Sequence, residues 1–333
     1  MIRKYKILFI PLLFLISNVC AQDYFRYQRI INAIDDDILS NNLNSALVRA
    51  DTIFEDYDFI YARHCIKALQ ISCELKDSIK AEKWLQKSFL QGVPKWMIYA
   101  NEITLKATRY SNTQSVLVNY DALHKQYLGK INRSLRKTVD SLRVLDKKFT
   151  DRVNLDNNIF KLVTYNLQWR KNSRKQVKVL IPLIEKYGFP GERLIGFEDN
   201  IGDSAKCISN AKYYGIARDL SGGGSEVMFI HYFSIPRKSL NSILFPNVKS
   251  GFLTQSDYGS FNDFLAKWGK KKYRNYYYNI WHSDSNKNNL ADIEKRRAAI
   301  GLETLDRQKQ KSKISYDRRG KDINSKIILE INH

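Results

Sequence analysis

A segment in the last third of the chain mixes cations with aromatic rings in a way that suits binding. From Lys267 to Tyr278 it reads Lys-Trp-Gly-Lys-Lys-Lys-Tyr-Arg-Asn-Tyr-Tyr-Tyr. Aromatic rings stack on bases or sugars, and lysine and arginine bind phosphates or carboxylates. A second interpretation is a solvated lysine cluster followed by core-packing tyrosines. The candidate binding residues of this basic-aromatic segment are Lys270, Lys271, Lys272, Tyr273, Arg274, Tyr276 and Tyr277.

One histidine, His231, lies inside the apolar run Val227–Phe233. A histidine in such a run is commonly a core residue bonded to backbone, but its ordinary pKa also suits acid–base chemistry. Residues 198–203 hold oxygen ligands without the spacing of a calcium loop. The glycines at 222–224 lack the lysine of a phosphate-binding loop, and no zinc spacing occurs. We therefore predict no metal site and no cofactor.

The first 21 residues have the pattern of a secretory signal peptide. A basic start, Met1–Lys6, is followed by ten apolar residues, Ile7–Ile16, and by an A-x-A-like site that ends at Ala21. Ten apolar residues are too few to span a bilayer, which requires about 20. We expect cleavage after Ala21 and an exported, periplasmic or secreted protein without a transmembrane segment. The alternative is a lipoprotein anchored through Cys20.

The chain is strongly basic. Its formal charge is +21, and loss of the three cations of the signal peptide would leave +18. Such a charge favours contact with anionic surfaces. Export argues against nucleic acid and for an acidic glycan, an envelope surface or an acidic protein, although lysines that only decorate helix faces would give the same total.

The three cysteines beyond residue 21 do not form a disulfide framework. Cys65 and Cys73 are eight residues apart in one predicted helix, so their Cα atoms would lie about 12 Å apart. A disulfide needs less than about 7 Å. With Cys207 they make an odd, sparse set, and we predict free thiols.

Residues 22–129 show apolar residues at helical spacing almost throughout. An internal offset of 35 residues relates Ala46 to Ala81 and Phe54 to Phe89. A period of about 34 residues with small residues at helix crossings resembles degenerate tetratricopeptide-type helical hairpins. The alternative is an unrelated helical bundle in which the offset is accidental.

The rest of the chain also favours helices, so we predict a mostly α protein. Residues 306–333 form a basic polar tail by composition, and the segment before Ser225 is an irregular glycine-rich insertion. A polar break is expected at Asn172–Lys175. The predicted helices are Val116–Leu128, Ile131–Phe149, Val177–Tyr187, Val227–Phe233, Lys238–Leu244, Tyr258–Trp268 and Asn289–Ile300.

Five short motifs resemble a bacterial family known only as domain of unknown function 6624. The resemblance spans about residues 130–305 and implies a mostly helical domain with no known reaction. The motifs are Leu142–Asp146 with Asp151 and Arg152, Leu183–Pro190 with Leu194–Gly196, Phe229–His231, Asp263–Gly269 and Ile293–Leu302.

This resemblance implies a pocket in which His231 and Asp263 meet Arg296 or Arg297. A histidine with a carboxylate can perform general acid–base chemistry, and an arginine can hold an anionic group. The same residues could instead form an ion-pair network that braces the domain. The family's Asp-Arg pair is here Asp263-Phe264.

Stacked helical hairpins create concave surfaces that bind peptides or proteins. The leading hypothesis is therefore an exported binding protein that contacts a protein, a peptide or an anionic envelope partner. The alternative is a hydrolase-like enzyme that uses His231, Asp263 and Arg296. The sequence leans against an enzyme, and a structural envelope protein is a third class.

Overall fold

A computed structural model describes residues 22–155, 159–196, 224–270, 273, 277–280, 290–319 and 326–329. These residues form helices and contain no strand, which confirms the predicted mostly α fold. A short 3-10 helix, Lys106–Arg109, follows the sixth α-helix. In chain order the α-helices are α1 Tyr24–Leu39, α2 Leu43–Asp56, α3 Ala62–Glu74, α4 Ser78–Leu90, α5 Lys95–Ala100, α6 Glu102–Leu105, α7 Thr113–Val118, α8 Tyr120–Lys130, α9 Arg133–Leu155, α10 Ile159–Tyr187, α11 Glu192–Ile195, α12 Ser225–Phe233, α13 Asn241–Lys249, α14 Gln255–Trp268, α15 Leu290–Ala299 and α16 Leu305–Arg319.

The first four helices pack as two neighbouring pairs, α1 with α2 and α3 with α4. Asp23, Asn42 and Asp77 cap the starts of α1, α2 and α4 by accepting backbone N–H bonds, which satisfies donors that a helix start leaves open. Ala46 in α2 and Ala81 in α4 have no exposed surface. Small side chains at these points let the helices approach closely.

The cysteines of α3 are free and buried. Burial raises the pKa of both the Cys65 and the Cys73 thiol, so both stay protonated and unreactive at neutral pH. Cys20 and Cys207 lie outside the described residues, as does the whole of 1–21, the predicted signal peptide.

Two large hydrophobic cores and a small cluster of Ala266, Tyr277, Ile293 and Leu305 organise the described residues. The first contains side chains between Tyr24 and Leu123, and the second contains side chains between Leu135 and Leu302. None of the helices in the described ranges is both long enough and apolar enough to cross a membrane.

The helices α9 and α10 form the longest helical hairpin in the described part of the chain, and α12 packs against both. The expected break at Asn172–Lys175 is absent, because α10 is continuous from Ile159 to Tyr187. Asn172, Ser173 and Gln176 are buried, and Gln176 Nε2 donates to the Leu142 carbonyl at 2.6 Å. Gln176 thus bonds α9, and the polar residues at 172–176 do not mark a turn.

The start of the segment that composition marks as a basic polar tail is an ordered helix, α16, that joins the fold. Its Lys311 has no exposed side-chain surface and forms ion pairs with Asp35 of α1 at 3.2 Å and Glu303 at 2.6 Å. Composition does not show this packing, because it cannot distinguish a buried lysine with two carboxylate partners from a lysine in solvent.

Candidate functional site

His231 lies near the end of α12 and is paired with a carboxylate of α9. Its Nδ1 is 2.6 Å from Asp146 Oδ2, and the side chains keep 17% and 4% of their surfaces exposed. An ionised carboxylate can only accept, so Nδ1–H donates to Asp146. This bond fixes the orientation of the ring and leaves Nε2 available for chemistry. The ring of Trp169 from α10 meets the imidazole edge-on at 4.9 Å between centroids.

Four buried polar atoms of α9 and α10 have no hydrogen-bond partner among the described residues: Asp146 Oδ1, Trp169 Nε1, Asn172 Nδ2 and Gln176 Oε1. Buried donors and acceptors are almost always satisfied, and each exception needs an explanation. Two unpartnered donors and two unpartnered acceptors between α9 and α10 indicate a position where a ligand or water supplies the missing hydrogen bonds.

Three arginines lie next to this place. Arg237 Nη2 donates to the carbonyl of Arg170 at 3.4 Å, and Arg170 follows Trp169 in α10. Burial lowers the pKa of Arg237, and repulsion from Arg174 and Arg170 lowers it further. The guanidinium also lies over the Tyr232 ring, at 5.2 Å. Within the described residues none of the three arginines has a carboxylate within ion-pair distance, so together they favour an anion.

Asp263 and Arg296 do not join His231 in the way the resemblance implied. Asp263 is buried and accepts the backbone N–H groups of Tyr278, Asn279 and Ile280 at 2.5, 3.1 and 2.6 Å. Arg296 donates from Nε to the Tyr277 carbonyl at 3.0 Å. Both side chains fix the backbone at 277–280, and His231 uses Asp146 in place of Asp263.

Arg297 is fully buried and also serves the backbone. It donates to the carbonyls of Glu303 and Tyr278 at 2.7 and 2.9 Å, and to Gln308 Oε1. The arginine thus connects α15 with the backbone at Tyr278 and with Gln308 of α16. Its geometry fits the bracing network that was the second interpretation of these residues.

The basic-aromatic segment is only partly described. Lys270 is exposed, whereas Tyr273, Tyr277 and Tyr278 are buried to 7% exposure. Lys271, Lys272, Arg274 and Tyr276 lie outside the described residues, as do the oxygen-rich loop at 198–203 and two of the glycines at 222–224. The described tyrosines pack in or beside the second core, so they do not offer a stacking surface.

A second candidate site, which sequence reasoning missed, is centred on Gln70 in α3. Gln70 Oε1 accepts the Ile328 N–H at 3.0 Å, and Gln70 Nε2 lies 3.4 Å from the Lys326 carbonyl. Nε2 also donates to Asn101 Oδ1 at 3.2 Å. One buried carboxamide therefore contacts the backbone of the segment Lys326–Leu329 on both sides of Ile327.

Apolar contacts accompany this backbone recognition. Ile327 and Ile328 pack against the first core, and Leu329 is 7% exposed. We call this surface, with Gln70 and Asn101 at its centre, the tail groove. No sequence motif indicates the tail groove. Gln70 is a single glutamine in a helix that is buried on nearly every side, and it belongs to no recognisable pattern of polar residues.

The electrostatics of α12 give a testable pH dependence through Glu226 in its first turn. Burial and repulsion from Asp257 raise the pKa of Glu226 to about 8, although the N–H groups at the helix start and Arg143 lower it. The folded chain then binds a proton that the unfolded chain releases above its ordinary pKa of about 4.5. Stability should fall as pH rises through this interval. Glu226→Gln should flatten that fall in urea denaturation between pH 5 and 9.

The matched control is Glu185→Gln on the exposed side of α10, which should keep the wild-type slope. A Glu226→Gln chain with the unchanged slope would contradict the raised pKa of Glu226.

Comparisons of the chain with protein-family models, with curated proteins and with solved structures gave no match. The resemblance to the uncharacterised bacterial family therefore stays a prediction from its motifs.

Proposed function

We propose that the protein is an exported binding protein whose tail groove takes an extended, aliphatic peptide segment of a partner protein. The observation that carries this proposal is the pair of contacts from the Gln70 carboxamide to the backbone of Lys326 and Ile328. The contacts of Gln70 with the chain's own residues 326 and 328 support this choice of ligand.

Backbone recognition gives affinity that does not depend on side-chain identity, while neighbouring pockets select the side chains. Gln70 is held in place by Asn101, whose Oδ1 also accepts the N–H groups of Ile103 and Thr104. The carboxamide is thus pre-oriented, which lowers the entropic cost of binding. The packing of Ile327 and Ile328 against the first core supports a preference for aliphatic residues.

The charge distribution supports an acidic partner or an anionic envelope surface. The helices α9 and α10 carry fourteen lysines and arginines against four aspartates and glutamates. Val144, Val163 and Leu167 are exposed on the same hairpin. Export is proposed from the pattern that ends at Ala21, with anchoring through Cys20 as the alternative.

The proposal predicts that a chain ending at Ser325 binds a labelled peptide with the sequence of residues 326–333 in fluorescence anisotropy. The intact chain should bind it at least about tenfold more weakly, because its own tail competes at high effective concentration. In the shortened chain, Gln70→Ala should weaken binding by about 10- to 30-fold, since two hydrogen bonds of about 1 kcal/mol each are lost.

Gln86→Ala, at an exposed position of α4, is the matched control and should bind like the parent. A folded shortened chain that does not bind the peptide would refute the groove. If shortening prevents folding, hydrogen exchange in the intact chain decides the question. Gln70→Ala should then speed exchange of the Ile328 amide while Gln86→Ala does not, and rapid exchange in the wild type would refute the proposal.

A further inference from the structure

The surroundings of His231 carry a second inference, independent of the tail groove. Nδ1 is occupied by Asp146, and Nε2 has no partner among the described residues. Nε2 is also not among the buried unpartnered atoms, so it reaches solvent at the edge of the site. The helices α9, α10 and α12 thus present an oriented imidazole nitrogen at an accessible surface.

The interior side of the same place is polar and incomplete. Asp146, Asn172 and Gln176 are each more than nine-tenths buried, and each has one atom without a partner. Trp169 Nε1 adds an unpartnered indole donor. The donors Asn172 Nδ2 and Trp169 Nε1 suit the oxygen atoms of a bound anion. The acceptors Asp146 Oδ1 and Gln176 Oε1 require that the anion also carries a proton, as a hydrogen phosphate group does.

The charges nearby select the sign of a ligand. Arg237 bonds the carbonyl of Arg170, and its Nε is buried without a partner. Arg174 repels Arg237 through space. A guanidinium offers several donors in a fork that matches the oxygens of phosphate. An arginine cluster of this kind is stabilised when an anion lies between its members.

We propose that His231, Arg237 and the unpartnered donors of α10 form a binding site for an oxyanion, with a phosphate group as the ligand class. Asp146 orients the imidazole, and Nε2–H donates to a ligand oxygen when the ring carries both protons. Arg237 supplies the charge, and Asn172 and Trp169 supply the neutral donors. This site differs from the predicted histidine site in using Asp146 and Arg237 where the resemblance implied Asp263 and Arg296.

The test is titration of the mature chain with inorganic phosphate and with phenyl phosphate, followed by calorimetry and phosphorus NMR. Both ligands should bind. Equal affinity for the two ligands would show that the site recognises the phosphate group alone. Tighter binding of phenyl phosphate would show that the ligand is a phosphate ester whose organic part contacts Trp169. If neither ligand binds at millimolar concentration, the proposal is overturned.

Paired variants separate the two imidazole nitrogens. His231→Asn keeps a donor at the place of Nδ1 and loses Nε2, so it should bind phosphate at least tenfold more weakly. His231→Gln places its amide nearer to Nε2 and should retain more of the affinity. Equal affinity of His231→Asn and the wild type would overturn the role of Nε2.

Arg237→Gln should also lose about tenfold, because a charge-assisted hydrogen bond contributes more than a neutral one. The matched control is Lys178→Gln, an exposed cation on α10. It should change the affinity less than twofold. Equal losses in Arg237→Gln and Lys178→Gln would show diffuse attraction to a basic surface and would overturn the assignment of a site.

Discussion

Asp35→Asn is expected to lower the free energy of unfolding by about 3–5 kcal/mol, the loss typical when one member of a buried ion-pair network is removed. Asp35 Oδ1 is 2.5 Å from Lys67 Nζ, and Oδ2 is 3.2 Å from Lys311 Nζ. All three side chains are at most 2% exposed. Asparagine has the same shape without the charge, so the buried Lys67 ammonium would lose its Asp35 partner and Lys311 would keep only Glu303.

The network also explains why α16 belongs to the fold. Burial by itself would lower the pKa of Lys311, but Asp35 and Glu303 raise it above its usual value. The charged lysine therefore connects α16 to α1, which in turn is paired with α3 through Lys67. Loss of Asp35 should loosen all three helices together.

The adjacent Asp36→Asn is the matched control. Asp36 pairs with Arg307 of α16 at 2.5 Å, but the two side chains are 51% and 27% exposed. An exposed pair contributes about 1 kcal/mol at most. Urea denaturation monitored by circular dichroism should show a large shift for Asp35→Asn and a small one for Asp36→Asn. Similar small shifts for both would contradict the buried network.

The sequence could predict the helices because their signal is local. The apolar spacing around Ala46 and Ala81 and the caps at Asn42 and Asp77 depend only on residues within a few turns. The detail of tetratricopeptide-type hairpins is not settled by the packing of α1–α4. The expected break at Asn172–Lys175 was wrong because a polar residue can face a buried interface when a backbone carbonyl such as that of Leu142 accepts its hydrogen bond.

The sites could not be predicted in the same way because their partners are distant in sequence. His231 meets Asp146 across 85 positions, and Gln70 meets Ile328 across 258. Each of these residues is common and lacks diagnostic neighbours. Asp263 was expected to be the partner of His231 because of the spacing of a family motif. That spacing carries no information on which carboxylate of another helix lies near the imidazole.

Substitution of Asp263 is the second change that we expect to lower stability strongly. Its two oxygens accept three backbone N–H groups, from Tyr278, Asn279 and Ile280. Burial raises its pKa to about 7, while these donors and Arg297 lower it, so at pH 8 the carboxylate is ionised. In Asp263→Asn the side-chain NH2 group would face a backbone N–H group, so two donors would meet. Arg297 would also lose the neighbouring negative charge. We expect a loss of about 2–4 kcal/mol in the free energy of unfolding at pH 8.

The control is Asp140→Asn, which removes a helical pair between the exposed Asp140 and the part-buried Arg136 and should cost about 0.5 kcal/mol. Phosphate binding gives the deciding second readout for Asp263→Asn. Since Asp263 anchors residues 278–280 and has no contact with His231, the folded variant should bind phosphate like the wild type. A variant of undiminished stability that loses phosphate binding would instead return Asp263 to the histidine site.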